Sequence, residues 1–538
     1  MSQSLPDSPP TPPALSASFF ARATRPLDRP GLATLILFAW VVLGAWIRPL
    51  SLPDEGRYVG VAWEMVRSGD WLTPTLNGLP YFHKPPLFYW LTAVSIKCFG
   101  TIDLGMRMAS MLAAALMAFA GTRVLVRWHS ADMARWYLLV LATLPYFYVG
   151  SQFANHDMLV AAFISSAILF GADALLSSDQ SQPWQRSMLF AWAFIALGLL
   201  SKGLIGIVLP AGVMLLWIVL QRRWSWLIRL FWWPGMVLFV LIALPWFVLM
   251  QLKFPEFFDY FFIHQHFERF TATGFNNMNP WWFYFAVIGL LCLPWSVLLP
   301  GQIKLPTQSA THTTLRKLQW AWVVVIVGFF SLPASKLIGY ALPAIPAIAM
   351  LIADIVVTRL LPMPRAHVLP KALAVICLLS LIPLVWIFGR NDIYSAKPLA
   401  AAFRSAAAPQ DQVLSLGLYR FDFPIYAQLS SPLPVVLDWT DPAIERTDSW
   451  RRELLDASRF DPPAGERVLI NPADLDTLLC AKEVSWVIAP LENNEPLLSS
   501  AEIIRSTTLH KLMRFDRDRS NLPCKGGQSL GESATNVS

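Results

Sequence analysis

The sequence predicts a polytopic α-helical membrane protein with a small α/β domain at its C-terminal end, on three observations. Of 538 residues, 55% are hydrophobic and only 14% are charged, against about a quarter charged in soluble domains. Apolar runs near the roughly 20 residues needed to cross a bilayer recur from 31 to about 390, separated by short polar links. Beyond 390 the composition becomes ordinary, with strand-like and helix-like segments alternating. Helices are the expected spanning form, because backbone polar groups in lipid must be satisfied within the segment.

Residues 1–30 are rich in Pro and Ser and too poor in apolar surface to fold alone, so a disordered cytosolic tail is expected. Arg22, Arg25 and Arg29 precede the first apolar run and no small-residue cleavage site follows it, so 31–50 reads as an uncleaved first span. The next stretch, 53–90, holds Asp54, Glu55, Arg57, His83 and Lys84 among Tyr58, Trp63, Trp71, Tyr81, Phe82, Phe88, Tyr89 and Trp90. Within it the apolar run 87–96 is too short to cross and is expected to form an interfacial or re-entrant helix.

With that run set aside, about eleven spans follow, at 31–50, 104–126, 137–149, 158–176, 188–200, 204–220, 231–250, 281–300, 318–333, 338–358 and 371–388. The upper bound is about thirteen, with odd parity in either case. This assignment puts Arg123, Arg127 and Arg135, and then Arg222, Arg223 and Arg229, in cytosolic loops, as the positive-inside rule requires. Odd parity carries residues 391–538 out of the cytosol. There 413–419, 467–472 and 485–490 look like strands and 450–457 like a helix, the pattern of a small α/β domain. Cys480 and Cys524 lie in this part and are candidates for a disulfide if their Cα atoms approach closely enough. The expected division is a tail at 1–30, a transmembrane catalytic domain at 31–390 with its first outer loop at 51–103, and a soluble domain at 391–538.

The same assignment gathers Asp54, Glu55, Arg57, His83, Lys84, Arg107, Asp157, Lys202, His264, His266, Glu268, Arg269 and Lys336 at or near the outer boundary. Ionisable groups in or beside a bilayer are costly and are functional candidates by default. Together, cations and carboxylates rimmed by aromatics suit a substrate with a phosphate head and an apolar tail. Taken singly, each aromatic is equally an interfacial belt residue and each charge a helix anchor. The sequence holds no P-loop, no GxGxxG after a strand and no HExxH, so no nucleotide is expected. The triplets at Asp474 and Asp476 and at Asp516 and Asp518 read as solvated surface. The net charge of +7 is spread over short loops, which argues against a nucleic-acid partner.

The motif order Pro53-Asp54-Glu55, Arg57-Tyr58, Glu64-Met65, Gly69-Asp70-Trp71, Tyr81-Phe82 and Lys84-Pro85-Pro86-Leu87, then Asp157, Ser201-Lys202-Gly203, Ser335-Lys336-Leu337 and Tyr340, resembles the bacterial aminoarabinose transferases that modify lipid A. These are GT-C-type relatives of the protein O-mannosyltransferases. The resemblance covers 31 to about 390 and is most specific in the first-loop box. It implies a multi-pass protein of the bacterial inner membrane, monomeric among membrane lipids, with its site and C-terminus periplasmic. It also implies transfer of 4-amino-4-deoxy-L-arabinose from undecaprenyl phosphate to a lipid A phosphate with inversion, the modification behind polymyxin resistance.

By the same matching, Asp54, Asp157 and Lys84 form the catalytic set, with Arg57 and Lys202 helping Lys84 to neutralise the departing polyprenyl phosphate. Toward a hydroxyl acceptor Asp54 would be a general base; toward a phosphate it would orient the acceptor or meet the sugar's ammonium. Tyr58, Tyr81, Lys336 and Tyr340 are expected substrate or phosphate contacts, with packing as the competing reading for the tyrosines. Where the family commonly has an acid that serves a divalent metal, this chain has His83. His83 and His264 are therefore either a zinc pair or two interfacial hydrogen-bonding residues. Two other readings of function stand beside the first: transfer to protein or another envelope glycan, and transport of a lipid or sugar phosphate without chemistry. Gathering of charge on one face, not at the midplane, speaks against transport.

Overall fold

The computed structural model describes residues 29–51, 53–268, 277–364, 366–389, 395–520 and 524, so the expected tail lies almost wholly outside the described residues. Helical segments occupy every predicted span, and the chain is a multi-pass membrane protein. Four helices are long and apolar enough to cross on their own: Asp103–Trp128, His156–Asp179, Trp233–Lys253 and the composite Ile338–Leu360. The others are Pro30–Val42, Ala131–Thr143 continued by Pro145–Ser151, Gln185–Lys202, Ile205–Gln221, Ala310–Ser331 and Val368–Gly389. Phe283–Leu291 and Trp295–Lys304 form a pair bent by 111°, where Pro294 and Pro300 remove helical N–H donors.

The two ends of that bent pair lie at opposite ends of the bundle. At one end Tyr284 Oη donates to Leu337 O at 3.1 Å. At the other, Gln302 Nε2 donates to Leu351 O at 2.6 Å and Arg316 Nη1 donates to Leu305 O at 2.8 Å. The pair therefore crosses instead of returning, and the predicted alternation of ends survives the break. The run at 87–96 forms the 13-residue helix Leu87–Phe99, which packs against Asp54–Ser68 and Asp103–Trp128.

Arginines in the loops predicted to be cytosolic also cross-link the bundle. Buried Asp173 accepts from Arg123 Nη1 and Arg127 Nη1, each at 2.9 Å, and from Trp128 Nε1 at 2.7 Å. Asp179 pairs with Arg223 and accepts from Arg229 Nη1 at 2.7 Å. Asp354 accepts from His312 Nε2 at 2.9 Å and Arg316 Nε at 2.8 Å. The two buried acids of this set, Asp173 and Asp354, are thus paired, as a low-dielectric setting demands.

At the opposite end lies the α/β domain. Its six strands run in the spatial order Leu469–Ile470, Val435–Val436, Gln412–Leu416, Val484–Pro490, His510–Asp516, Glu502–Ser506, with the first four parallel and the last two antiparallel to their neighbours. Three of these are the predicted strands, and the predicted helix is Trp450–Ser458. Successive side chains of the central strand alternate between faces. Trp486 and Ile488 join the core shared with the membrane helices, while Val487 and Ala489 join a smaller cluster with Leu475 and Leu479. Cys480 and Cys524 form a disulfide, with Cα atoms 5.6 Å apart.

The domain sits on the first loop through polar clamps. Asn77 exchanges two hydrogen bonds of 2.8 Å with the Leu433 backbone. Asp103 accepts from Tyr426 Oη and Lys397 Nζ, each at 2.5 Å.

Candidate active site

Adjacent acids in the first-loop helix Asp54–Ser68 point about 100° apart, and the structure gives them different work. Glu55 is fully buried and faces the bundle. It accepts from Arg107 Nε at 2.8 Å and Arg107 Nη2 at 2.9 Å, from Ala154 N at 2.8 Å and from Ser51 N at 2.8 Å, and it pairs with Arg48. Burial alone pushes its pKa up, but the charges of Arg107 and Arg48 outweigh burial and hold the carboxyl down at about 2. This anchor fixes the rotation of the helix. Asp54, Arg57 and Tyr58, at i, i+3 and i+4, then share the other face.

That face closes over a cavity of about 60 Å³ lined by Asp54, Arg57, Tyr58, Tyr81, His83, Lys84, Asn155, His156, Asp157, Lys202, Leu337, Tyr340 and Glu453. Nine residues singled out from sequence are among them. Arg57 pairs with Asp54 on one nitrogen and Glu453 on another, and its guanidinium lies 4.9 Å from the centre of the Tyr58 ring. Its Nε is buried and has no hydrogen-bond partner among the described residues. Tyr81 Oη donates to Glu453 Oε2 at 3.2 Å. The Arg57 pKa is raised: burial opposes its charge, but Glu453 and the groups around it outweigh that.

The second wall comes from two helix ends. Asn155 caps His156–Asp179 by accepting from Asp157 N at 3.0 Å, the local reason Asp157 stands at the first turn. Asn155 Nδ2 donates to Asp157 Oδ2 at 3.1 Å, and Lys202, at the end of Gln185–Lys202, pairs with Asp157. Lys202 Nζ lies 4.5 Å from the centre of the Tyr340 ring. His156 Nδ1 donates to Ser201 O at 2.7 Å, tying the two helices together. A Cβ at Gly339 would overlap the Asp157 carboxylate, so glycine lets the Ile338–Ala344 turn close on this wall with Asp157 in place.

Two predicted residues stand elsewhere. Lys336 does not line the cavity: Nζ donates to Asn279 O at 2.8 Å and also bonds Pro333 O, so it holds the loop before Tyr340 instead of binding phosphate. His264 lies in a neighbouring cavity with Tyr260, Arg452 and Asp456. The zinc pair does not fit either. His83 Nε2 meets Tyr260 Oη at 2.7 Å, and Arg452 Nη2 lies 3.5 Å from His264 Nε2, a fixed cation where a metal would have to bind.

Sequence reasoning missed Asn155, His156 and Glu453. The first two carried a signal, a capping residue and a histidine directly before Asp157. Glu453 carried none, because it belongs to an ordinary polar helix some four hundred positions from its partner Arg57.

Residues 34–261 match the family model described as dolichyl-phosphate-mannose-protein mannosyltransferase. The chain is 32% identical to an undecaprenyl phosphate-alpha-4-amino-4-deoxy-L-arabinose arabinosyl transferase of Aeromonas salmonicida, over 57% of this chain and 56% of that protein. A Pseudomonas fluorescens protein of the same description is 30% identical over 67% of this chain and 66% of its own length. The chain therefore spans less than two thirds of the length of either relative. In fold, a crystal structure of ArnT from Cupriavidus metallidurans bound to undecaprenyl phosphate superposes with a TM-score of 0.74 at 21% identity, covering 91% of this chain and 98% of that one.

The chain shares its fold with that ArnT structure. It is similar in sequence to the aminoarabinose transferases over 57% and 67% of its length, and in fold to ArnT over 91%.

Proposed function

We propose that this chain is a glycosyltransferase that moves 4-amino-4-deoxy-L-arabinose from undecaprenyl phosphate to a lipid A phosphate, on the periplasmic side of the inner membrane. The observation that carries the reading is one cavity in which Arg57, Lys84 and Lys202 stand with Asp54 and Asp157. Three cations converging on one point suit a phosphate whose negative charge grows as its bond to the sugar breaks. The buried Nε of Arg57, which has no hydrogen-bond partner among the described residues, is a donor that a phosphate oxygen would satisfy.

In the proposed step an acceptor phosphate oxygen attacks the anomeric carbon while the bond from that carbon to the undecaprenyl phosphate oxygen breaks. The electron pair stays on the leaving phosphate, held by Lys84 with Arg57 and Lys202. Direct displacement inverts the anomeric centre. An anionic acceptor needs no base, so Asp54 orients it at the mouth, where the Asp54 side chain is 39% exposed, and Asp157 holds Lys202 in place. The periplasmic orientation is supported by arginine-rich loops at the far end of the bundle and by the Cys480–Cys524 disulfide in the domain beside the site.

The test uses purified full-length protein, undecaprenyl phosphate carrying labelled aminoarabinose, and lipid A, with and without chelator. Label should move to lipid A. Transfer to peptide or another glycan instead would favour the O-mannosyltransferase-like reading, and uptake of donor into vesicles without transfer would favour transport.

A further inference from the structure

Where the soluble domain meets the outer ends of the first two membrane segments lies a second cavity, of about 430 Å³, which shares no lining residue with the candidate active site. That volume suits a small polar ligand or a lipid headgroup. Its membrane side is formed by Trp46, which follows Pro30–Val42, and Ile102, which precedes Asp103–Trp128. They are 64% and 51% exposed, and an indole at the end of a span sits at headgroup depth. Leu35, Ile36 and Leu43 of the first segment are exposed as well, an apolar face for acyl chains.

The domain side carries charge. Lys397 and Arg404 line the cavity from the helix Lys397–Ala406. The one acid among the lining residues, Asp103, already has both oxygens occupied, one by Tyr426 Oη and one by Lys397 Nζ. Tyr426 Oη accepts in turn from Leu50 N at 2.8 Å. The Lys397 side chain is still 49% exposed, and an ammonium has three donors. Arg404 is exposed and pairs with no acid among the described residues. The cavity therefore holds one positive charge more than it has acids to balance, next to a lipid-facing surface.

We propose that this cavity binds an anionic phospholipid, its phosphodiester held between Lys397 and Arg404, its headgroup beside Trp46 and its chains along the first span. Lys and Arg hold a phosphodiester through charge-assisted hydrogen bonds. A zwitterionic lipid brings a phosphate together with its own cation, so the excess charge selects for a lipid with net negative charge. The bound lipid fastens the soluble domain to the bilayer at the place where Tyr426 and Asp103 fasten it to Leu50 and the second long helix, and so it stabilises the folded protein by mass action. The inference holds whether or not the chain transfers a sugar.

The test follows the melting temperature of the full-length protein in detergent micelles as phosphatidylglycerol, or phosphatidylcholine with the same acyl chains, is added. Phosphatidylglycerol should raise it in a saturable way that phosphatidylcholine does not match. Arg404→Glu should raise the half-saturating phosphatidylglycerol fraction by about tenfold or more, while Arg404→Lys, which keeps the charge, stays near wild type. Arg467→Glu makes the same charge change at an exposed position outside the cavity and should leave the midpoint unchanged. Lys84→Ala should leave it unchanged too, which separates this site from the catalytic cavity. Equal stabilisation by the two lipids overturns the proposal, as does a wild-type midpoint in Arg404→Glu or an equal loss in Arg467→Glu or Lys84→Ala. Stabilisation by soluble glycerophosphoglycerol at the same concentrations overturns it in favour of a free phosphodiester site.

Discussion

Asp54 and Glu55 illustrate how neighbouring carboxylates divide labour at the level of single residues. Glu55 carries a depressed pKa of about 2 against an ordinary value of 4.5, so its contribution to stability is complete above about pH 5 and is lost as pH falls toward 2. The contribution is about 3 kcal/mol by linkage. Thermal unfolding in detergent should be level from pH 7 to 5 and fall below pH 4.5. Glu55→Gln should flatten that dependence and cost about 3–5 kcal/mol, because Arg48 and Arg107 lose their buried partner. Lys84 and Arg57 are argued to meet the leaving phosphate, so Lys84→Ala or Arg57→Ala should lower kcat by about a hundredfold or more in the labelled-donor assay. Lys336→Ala should leave donor KM close to wild type and lower the melting temperature, since its ammonium binds backbone carbonyls.

Between elements, glycine sets how closely helices and turns approach the site. A Cβ at Gly339 would collide with the Asp157 carboxylate, the far end of a side chain that can shift. Gly339→Ala should therefore fold, yet lose about tenfold or more in kcat as the Asp157–Lys202 pair moves, which steady-state kinetics beside a melting curve would separate. A Cβ at Gly206 would meet the Gly198 backbone where Gln185–Lys202 turns into Ile205–Gln221. Backbone cannot yield there, so Gly206→Ala should destabilise the bundle by about 1–3 kcal/mol, read as a lower melting temperature.

Across the whole molecule, the soluble domain is a wall of the site and not an appendage. Its core is continuous with that of the membrane helices, and it reaches the first loop through Asn77, Asp103 and Arg57. The Cys480–Cys524 link closes the domain's C-terminal end, so Cys480→Ser should weaken the domain by about 2–4 kcal/mol. Limited proteolysis with and without reductant would detect the same change in wild type.

The sequence by itself determined the spans, their alternation, the short helix at 87–96, the strands of the domain and most of the cavity wall. Hydropathy, loop charge and helix spacing are local properties, and Asp54, Arg57 and Tyr58 or Asp157 with its cap are legible within a few residues. Tertiary structure alone decided which acid faces the site, that Lys336 turns to backbone carbonyls, that Tyr260 and Arg452 occupy the surroundings of His83 and His264, and that Glu453 enters the cavity. Those outcomes depend on which charge finds a partner across hundreds of residues. That is settled by packing and by the cost of leaving a buried charge unpaired, not by any local pattern.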